Sequence, residues 1–149
     1  MKKLSPLLFL FVFMATTAKS QILKPVTWSY AAKRTSPVTA TVFLKATIES
    51  RWHIYSHFIK LDGPLKTTFT ITTGKGYRLT GQTTEPKPIS KYENMFKMQI
   101  GYFEHSVVFQ QKVKLTGKTA TVRGKVEYMV CNDSQCLPPE EVEFRVVIK

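Results

Sequence analysis

Apolar and polar residues alternate with a period of two along most of the chain. Val38, Ala40, Val42, Leu44, Ala46 and Ile48 share one parity, and Thr39, Thr41, Lys45, Thr47 and Glu49 lie between them. Successive side chains of a strand point to opposite faces, so this run predicts a strand buried on one side. The pattern returns in Val107, Phe109, Val113 and Leu115, then in Ala120, Val122, Val126, Tyr128 and Val130, and again in Val142, Phe144, Val146 and Ile148. Residues 26–32 and 67–72 are shorter candidates. Turn formers separate the runs: Ser36-Pro37, Asp62-Gly63-Pro64, Gly74-Lys75-Gly76, Gly117-Lys118 and Leu137-Pro138-Pro139. No stretch carries the spacing of an amphipathic helix. Many short strands between regular turns predict an all-β sandwich, in which each sheet buries one face against the other.

Residues 84–98 break the rhythm. Pro86 and Pro88 bar a central strand. Tyr92, Met95, Phe96 and Met98 are nevertheless too apolar for an idle solvent loop. The segment must cover something: either one open end of the sandwich, or the cysteine loop described below.

Residues 1–20 stand apart from the alternating pattern. Lys2 and Lys3 precede an apolar run at 7–15, and Ala18-Lys19-Ser20 supplies the small residues of a signal-peptidase site. Cleavage is expected before Gln21. The run is shorter than the ~20 residues that span a bilayer, and no later stretch is apolar enough to do so. The chain therefore reads as an exported, soluble domain of residues 21–149 in a compartment that permits disulfides. Lys and Arg total 22 against 10 acids, and removing the three lysines of the leader lowers the net charge from +12 to +9. The cations are scattered on alternate strand positions, which reads as a solvated strand face and not as a nucleic-acid site.

Cys131 and Cys136 are the only cysteines, with Asn132-Asp133-Ser134-Gln135 between them. They sit where the strand-like stretch 119–130 meets the stretch 142–148. A bond between them is open to two readings. One is a permanent staple, usual in exported domains. Its loop is small, however, and a loop of ~15 residues already yields only about 3 kcal/mol in the chain-entropy model. The other is a redox pair, since a short ring can be strained and strained or exposed disulfides are the more readily reduced. Two thiolates alone make an incomplete metal site, and no cofactor motif is present. His53 and His57 lie roughly 13 Å apart on an extended strand, too far to chelate together. Met95 and Met98 read as flexible fillers, not as copper ligands. Trp52 reads as core. Tyr55 fits either the core or the edge of the cysteine loop, and Glu140 and Glu141 either tune the pair or are solvated turn ends.

Together, Trp52-His53-Ile54-Tyr55-Ser56-His57, Asp62-Gly63-Pro64-Leu65, Glu85-Pro86-Lys87-Pro88, the segment from Tyr92 to Phe96, Gly101-Tyr102-Phe103-Glu104 and the segment from Cys131 to Pro139 resemble, in that order, a known family. It is the N-terminal periplasmic domain of the thiol:disulfide interchange protein DsbD, also called the disulfide bond corrector domain. The likeness covers nearly all of residues 21–149. It implies an immunoglobulin-like β-sandwich with a cap loop over a cysteine pair that shuttles between disulfide and dithiol. Electrons would come from one thioredoxin-like domain and pass to other periplasmic thioredoxin-like proteins, with no cofactor, and the domain would act as a monomer. Carried over, Cys136 is the attacking thiol and Cys131 the resolving one. Phe96 is the shield, Tyr92, Glu93 and Met95 belong to the cap, and Tyr55 and Pro138 support the cysteine loop.

The sequence departs from the family at three points. The family's adjacent acids before the cap phenylalanine are here Glu93-Asn94, so a second carboxylate near the thiols is not expected from this segment. The cysteines are often one residue further apart in the family. The chain ends at Lys149 without membrane or thioredoxin-like domains, so donor and acceptor are expected to be separate proteins. The competing expectation is a binding module with a permanent disulfide.

Overall fold

The computed structural model describes residues 23–60, 62–94 and 96–149. The expected signal peptide lies outside the described residues, as does Met95 of the expected cap. The described chain contains eleven strands and no helix: β1 (Val26–Ser36), β2 (Thr39–Ile48), β3 (His53–Tyr55), β4 (Thr68–Ile71), β5 (Tyr77–Thr84), β6 (Ile89–Glu93), β7 (Met98–Glu104), β8 (Ser106–Leu115), β9 (Ala120–Tyr128), β10 (Val130–Cys131) and β11 (Glu140–Ile148). All the pairings are antiparallel. One sheet has the order β1-β2-β8-β5. Across the core from it lie a second, β10-β3-β7-β6, and a third, β11-β9-β4. This is the all-β sandwich that the alternation predicts, of the immunoglobulin-like kind that the resemblance implies.

The register explains the core. Ala40, Val42, Leu44 and Ala46 of β2 pair with Val113, Gln111, Phe109 and Val107 of β8. These residues face Ile54, Phe103 and Val130 of the second sheet and Val122, Val126, Tyr128, Phe144 and Val146 of the third, in one continuous cluster. Trp28 packs edge-on against both Phe69 and Tyr128, at 6.1 and 5.5 Å between ring centroids. Trp52 is in this cluster, as expected. Val38 is not: it lies in the turn between β1 and β2, where the hairpin reverses before the paired strand begins, and it is exposed.

The prolines at 86 and 88 do bar a strand, but only up to Pro88. From Ile89 the chain runs as an edge strand, β6, paired only with β7, where no donor on its outer side is needed. What reads as a cap loop is therefore the tip of a β6–β7 hairpin. It turns through Asn94 and Lys97, with a Phe96 N–H to Glu93 C=O hydrogen bond of 3.2 Å and Lys97 at φ +52° closing the turn.

Candidate functional site

Parity places the cysteines. Val130 continues the inward series of β9, so Cys131, one residue on, points to the outer face of the second sheet. There it lies opposite His53, and His53 lies opposite Glu104 of β7. After Cys131 the chain reverses sharply. The Asn132 side-chain oxygen accepts from the N–H groups of Ser134 and Gln135, both at 2.9 Å, which is the turn an asparagine following a strand favours. Backbone bonds from Asn132 to Gln135 (2.8 Å) and from Leu137 to Val130 (2.9 Å) flank the two cysteines. Cys131 and Cys136 thus face each other as a bridged pair, with Cα atoms 4.0 Å apart, and are joined by a disulfide.

The two sulfurs' surroundings differ. Cys131 is 2% exposed, whereas Cys136 is exposed, as are Pro138 and Pro139 beyond it. Cys131 forms a small second core with Tyr55 and Ile100. Ile59, Phe96, Met98, Tyr102 and Met129 pack against that core. Tyr55 therefore belongs to the cysteine cluster and not to the main core. Phe96, from the hairpin tip, is part of its cover. Tyr92 has the opposite parity to Glu93 on β6 and is 51% exposed, so its ring stands away from the sulfurs. Pro138 is exposed and follows the loop without covering it.

The charged groups come from several elements. Burial lowers the pKa of His53, and the carboxylates of Glu104, Glu93 and Asp133 oppose that shift. Burial also raises the Tyr55 hydroxyl, with Glu93 adding to it. Two carboxylates besides Glu93 thus act on this cluster, Glu104 from β7 and Asp133 from the cysteine loop, which the segment before Phe96 could not reveal. Glu93 also pairs with Lys91 at 3.6 Å. The histidines do not share a face. β3 ends at Tyr55, and His57 turns to Phe69 while its Nδ1 meets the Thr67 carbonyl at 2.8 Å. His53 instead packs on Tyr55 and Tyr102. Glu140 accepts from the Tyr128 hydroxyl at 2.9 Å, and Glu141 pairs with Lys125 at 2.7 Å, so both carboxylates are engaged away from the sulfurs. The Tyr128 hydroxyl is pushed well up, first by burial and then by Glu140.

The base of the hairpin is anchored by residues that carry no role in the sequence reading. The Glu85 carboxylate accepts from the Ser56 hydroxyl and from the His57 N–H, the latter at 2.8 Å. It thereby ties the segment before β6 to the end of β3. Gly101 of β7 allows this approach: a Cβ there would stand 2.9 Å from Pro88 Cγ. The only sequence signal for this anchor is an acid just before two prolines.

A family model, described as the N-terminal region of the thiol:disulfide interchange protein DsbD, matches residues 19–148. No curated protein matches the chain. Among solved structures, one of the complex between the DsbD and PilB N-terminal domains from Neisseria meningitidis aligns with a TM-score of 0.53 at 16% identity, over 83% of this chain and 86% of that one. The N-terminal periplasmic domain of ScsB from Proteus mirabilis aligns with a TM-score of 0.55 at 13% identity, over 80% of this chain and 44% of that one. At these identities the likeness is one of fold.

Proposed function

From the premise that this chain belongs to the family of the DsbD N-terminal domain, we propose that it relays electrons between thioredoxin-fold proteins through a reversible Cys131–Cys136 disulfide. The exchange takes place in the periplasm after the leader is removed. The observation that carries this reading is the unequal exposure of the two cysteines: Cys136 is exposed and Cys131 is buried under the hairpin tip.

The chemistry follows from that asymmetry. A donor thiolate attacks the reachable sulfur, Cys136, and forms a mixed disulfide; Cys131 leaves as a thiolate and takes up a proton. The donor's second thiolate then attacks its own sulfur in the mixed bond. This releases Cys136, so two electrons enter the pair and the donor becomes a disulfide. Towards an acceptor the steps reverse. The Cys136 thiolate attacks the acceptor disulfide, and Cys131 resolves the mixed bond to restore the Cys131–Cys136 disulfide. Between encounters, apolar surroundings disfavour a thiolate at Cys131, and the cover of Phe96 and Met98 keeps small oxidants from that sulfur. A partner must displace the hairpin tip to reach Cys131 directly. The complex between the DsbD and PilB N-terminal domains from Neisseria meningitidis supports a protein as the partner.

A redox titration in thiol buffer tests the reading. A relay should equilibrate at about −120 to −270 mV, the range of thioredoxin-fold partners, whereas a permanent staple lies below about −300 mV. A potential in the lower range overturns the proposal in favour of a binding module.

A further inference from the structure

The charges of this protein are sorted by sheet. All ten acids lie outside β1, β2, β5 and β8, the four strands of the first sheet. Five cations stand on the outward positions of those strands, and all are exposed: Lys33, Lys45, Arg78, Lys112 and Lys114. Register gathers four of them into two adjacent rows. Lys33, Thr41, Lys112 and Thr80 form one row across the sheet. Thr39, Lys114 and Arg78 form the next. Neighbouring strands are ~4.8 Å apart and rows on one face ~6.7 Å, so these four charges lie within roughly 15 Å of one another. The three ion pairs among the described residues engage Lys24, Lys91 and Lys125, none of this set.

The third sheet shows that this is not simply how a basic chain covers strands. The outward positions of β9 and β11 carry Arg123, Lys125 and Arg145 beside Glu127, Glu141 and Glu143, three charges of each sign. Like charges on adjacent cross-strand positions repel; both sheets hold such pairs, Lys114 opposite Arg78 and Arg123 opposite Arg145, but only on the third sheet do acids stand at neighbouring outward positions to offset them. That repulsion is relieved by a negatively charged partner.

We propose that the outer face of the β1-β2-β8-β5 sheet docks on an anionic phospholipid bilayer. A broad sheet bearing cations among threonines matches a planar array of phosphates. The rows hold no aromatic ring on which a nucleic-acid base could stack. The sheet that carries the cysteines faces the other side of the sandwich, so a docked molecule leaves Cys136 open to partners. The proposal does not depend on the exchange reading, because the face, the ligand and the measurement involve no thiol.

The test is co-sedimentation of the purified protein with vesicles of phosphatidylcholine alone or mixed with phosphatidylglycerol, at low and high salt. Binding is expected only to the mixed vesicles and is lost at high salt. Each basic residue near an anionic surface multiplies binding roughly fivefold, so K112E/K114E should weaken it at least about 25-fold. R123E/R145E makes the same change in net charge on the third sheet and should alter binding by less than about threefold on the same grounds. Circular dichroism verifies that both variants are folded. No binding to mixed vesicles, equal losses in the two variants, or tighter binding of this face to a DNA duplex than to the vesicles would each overturn the proposal.

Discussion

Replacing Phe96 with alanine removes the side chain that the hairpin tip lays on the Cys131 cluster. Full burial of a phenylalanine is worth about 1.5–3 kcal/mol, and Phe96 is half-buried, which leaves about 0.75–1.5 kcal/mol holding the tip closed. At 1.4 kcal/mol per factor of ten, the open population should rise roughly 3- to 12-fold. If a small oxidant reaches Cys131 only through the open tip, its reaction rate should rise by the same factor. The assay uses a Cys136→Ser background, in which Cys131 is the only thiol, because the exposed Cys136 reacts whatever the tip does; the reduced protein is mixed with excess glutathione disulfide and remaining thiols are counted over time by mass. Two controls separate local opening from general loosening. The unfolding midpoint of the oxidised protein should fall by no more than the same ~1.5 kcal/mol, and low urea should not accelerate the reaction of either protein. Phe96→Leu should fall between wild type and Phe96→Ala. A rate for Phe96→Ala within twofold of wild type would refute the idea that this ring is the shield.

Three further outcomes follow from the same geometry. With a thioredoxin-fold protein that lacks its resolving cysteine and carries its remaining one as a mixed disulfide with thionitrobenzoate, Cys131→Ser should trap a mixed disulfide through Cys136 as thionitrobenzoate leaves. Cys136→Ser should do so on the order of tenfold more slowly, because its remaining thiol is buried; non-reducing electrophoresis reads both, and equal rates would remove the assigned roles. His53 has its pKa lowered by burial, so the folded state binds fewer protons than the unfolded one below pH about 6.5. Stability should be full above that pH and decline as pH falls towards the folded-state pKa. His53→Gln should flatten this part of a series of urea midpoints taken from pH 7.5 to 5, and an unchanged slope would show that His53 is not the group responsible. Glu85→Ala removes a carboxylate that accepts two hydrogen bonds. It should cost about 1.5–3 kcal/mol in urea unfolding and also speed oxidation of the reduced pair; a stability loss with no change in oxidation would mean that the anchor does not hold the cap.

The period-two pattern carries the sandwich because each strand's inward face must be apolar whatever it pairs with. Alternation in β2, β8, β9 and β11 therefore predicts both their existence and the residues they bury. It does not say which strands pair. The cysteine site is made by pairings of β10 with β3, β3 with β7 and β7 with β6. These bring together residues near 53, 93, 104 and 133 that no local window connects. Glu104 and Asp133 therefore carry no local signal, and the residues just before Phe96 show only the acid Glu93. The β6 strand is hidden for a related reason: an edge strand after two prolines is exposed on most of its length, so its apolar residues, Ile89 and Tyr92, follow no period of two.

One consequence of parity was available in the sequence without any pairing. If Val130 belongs to the inward series, Cys131 must point out of the sandwich, where a two-layer fold leaves a residue in water. Cys131 is nevertheless buried. Burying an outward residue requires a third layer, and residues 84–98 supply part of it: a stretch too apolar for solvent and barred by proline from a central strand. Its apolar residues follow the same logic. Met98 and Ile100 share the outward parity of Tyr102, which is the parity that meets Cys131 across β7 and β3. Phe96 comes from the turn, which is bound to neither parity and can fold over the edge. Its position there also makes it the part of the cover held by the fewest strand hydrogen bonds, so it is the part that a docking protein can lift without opening the sheet beneath.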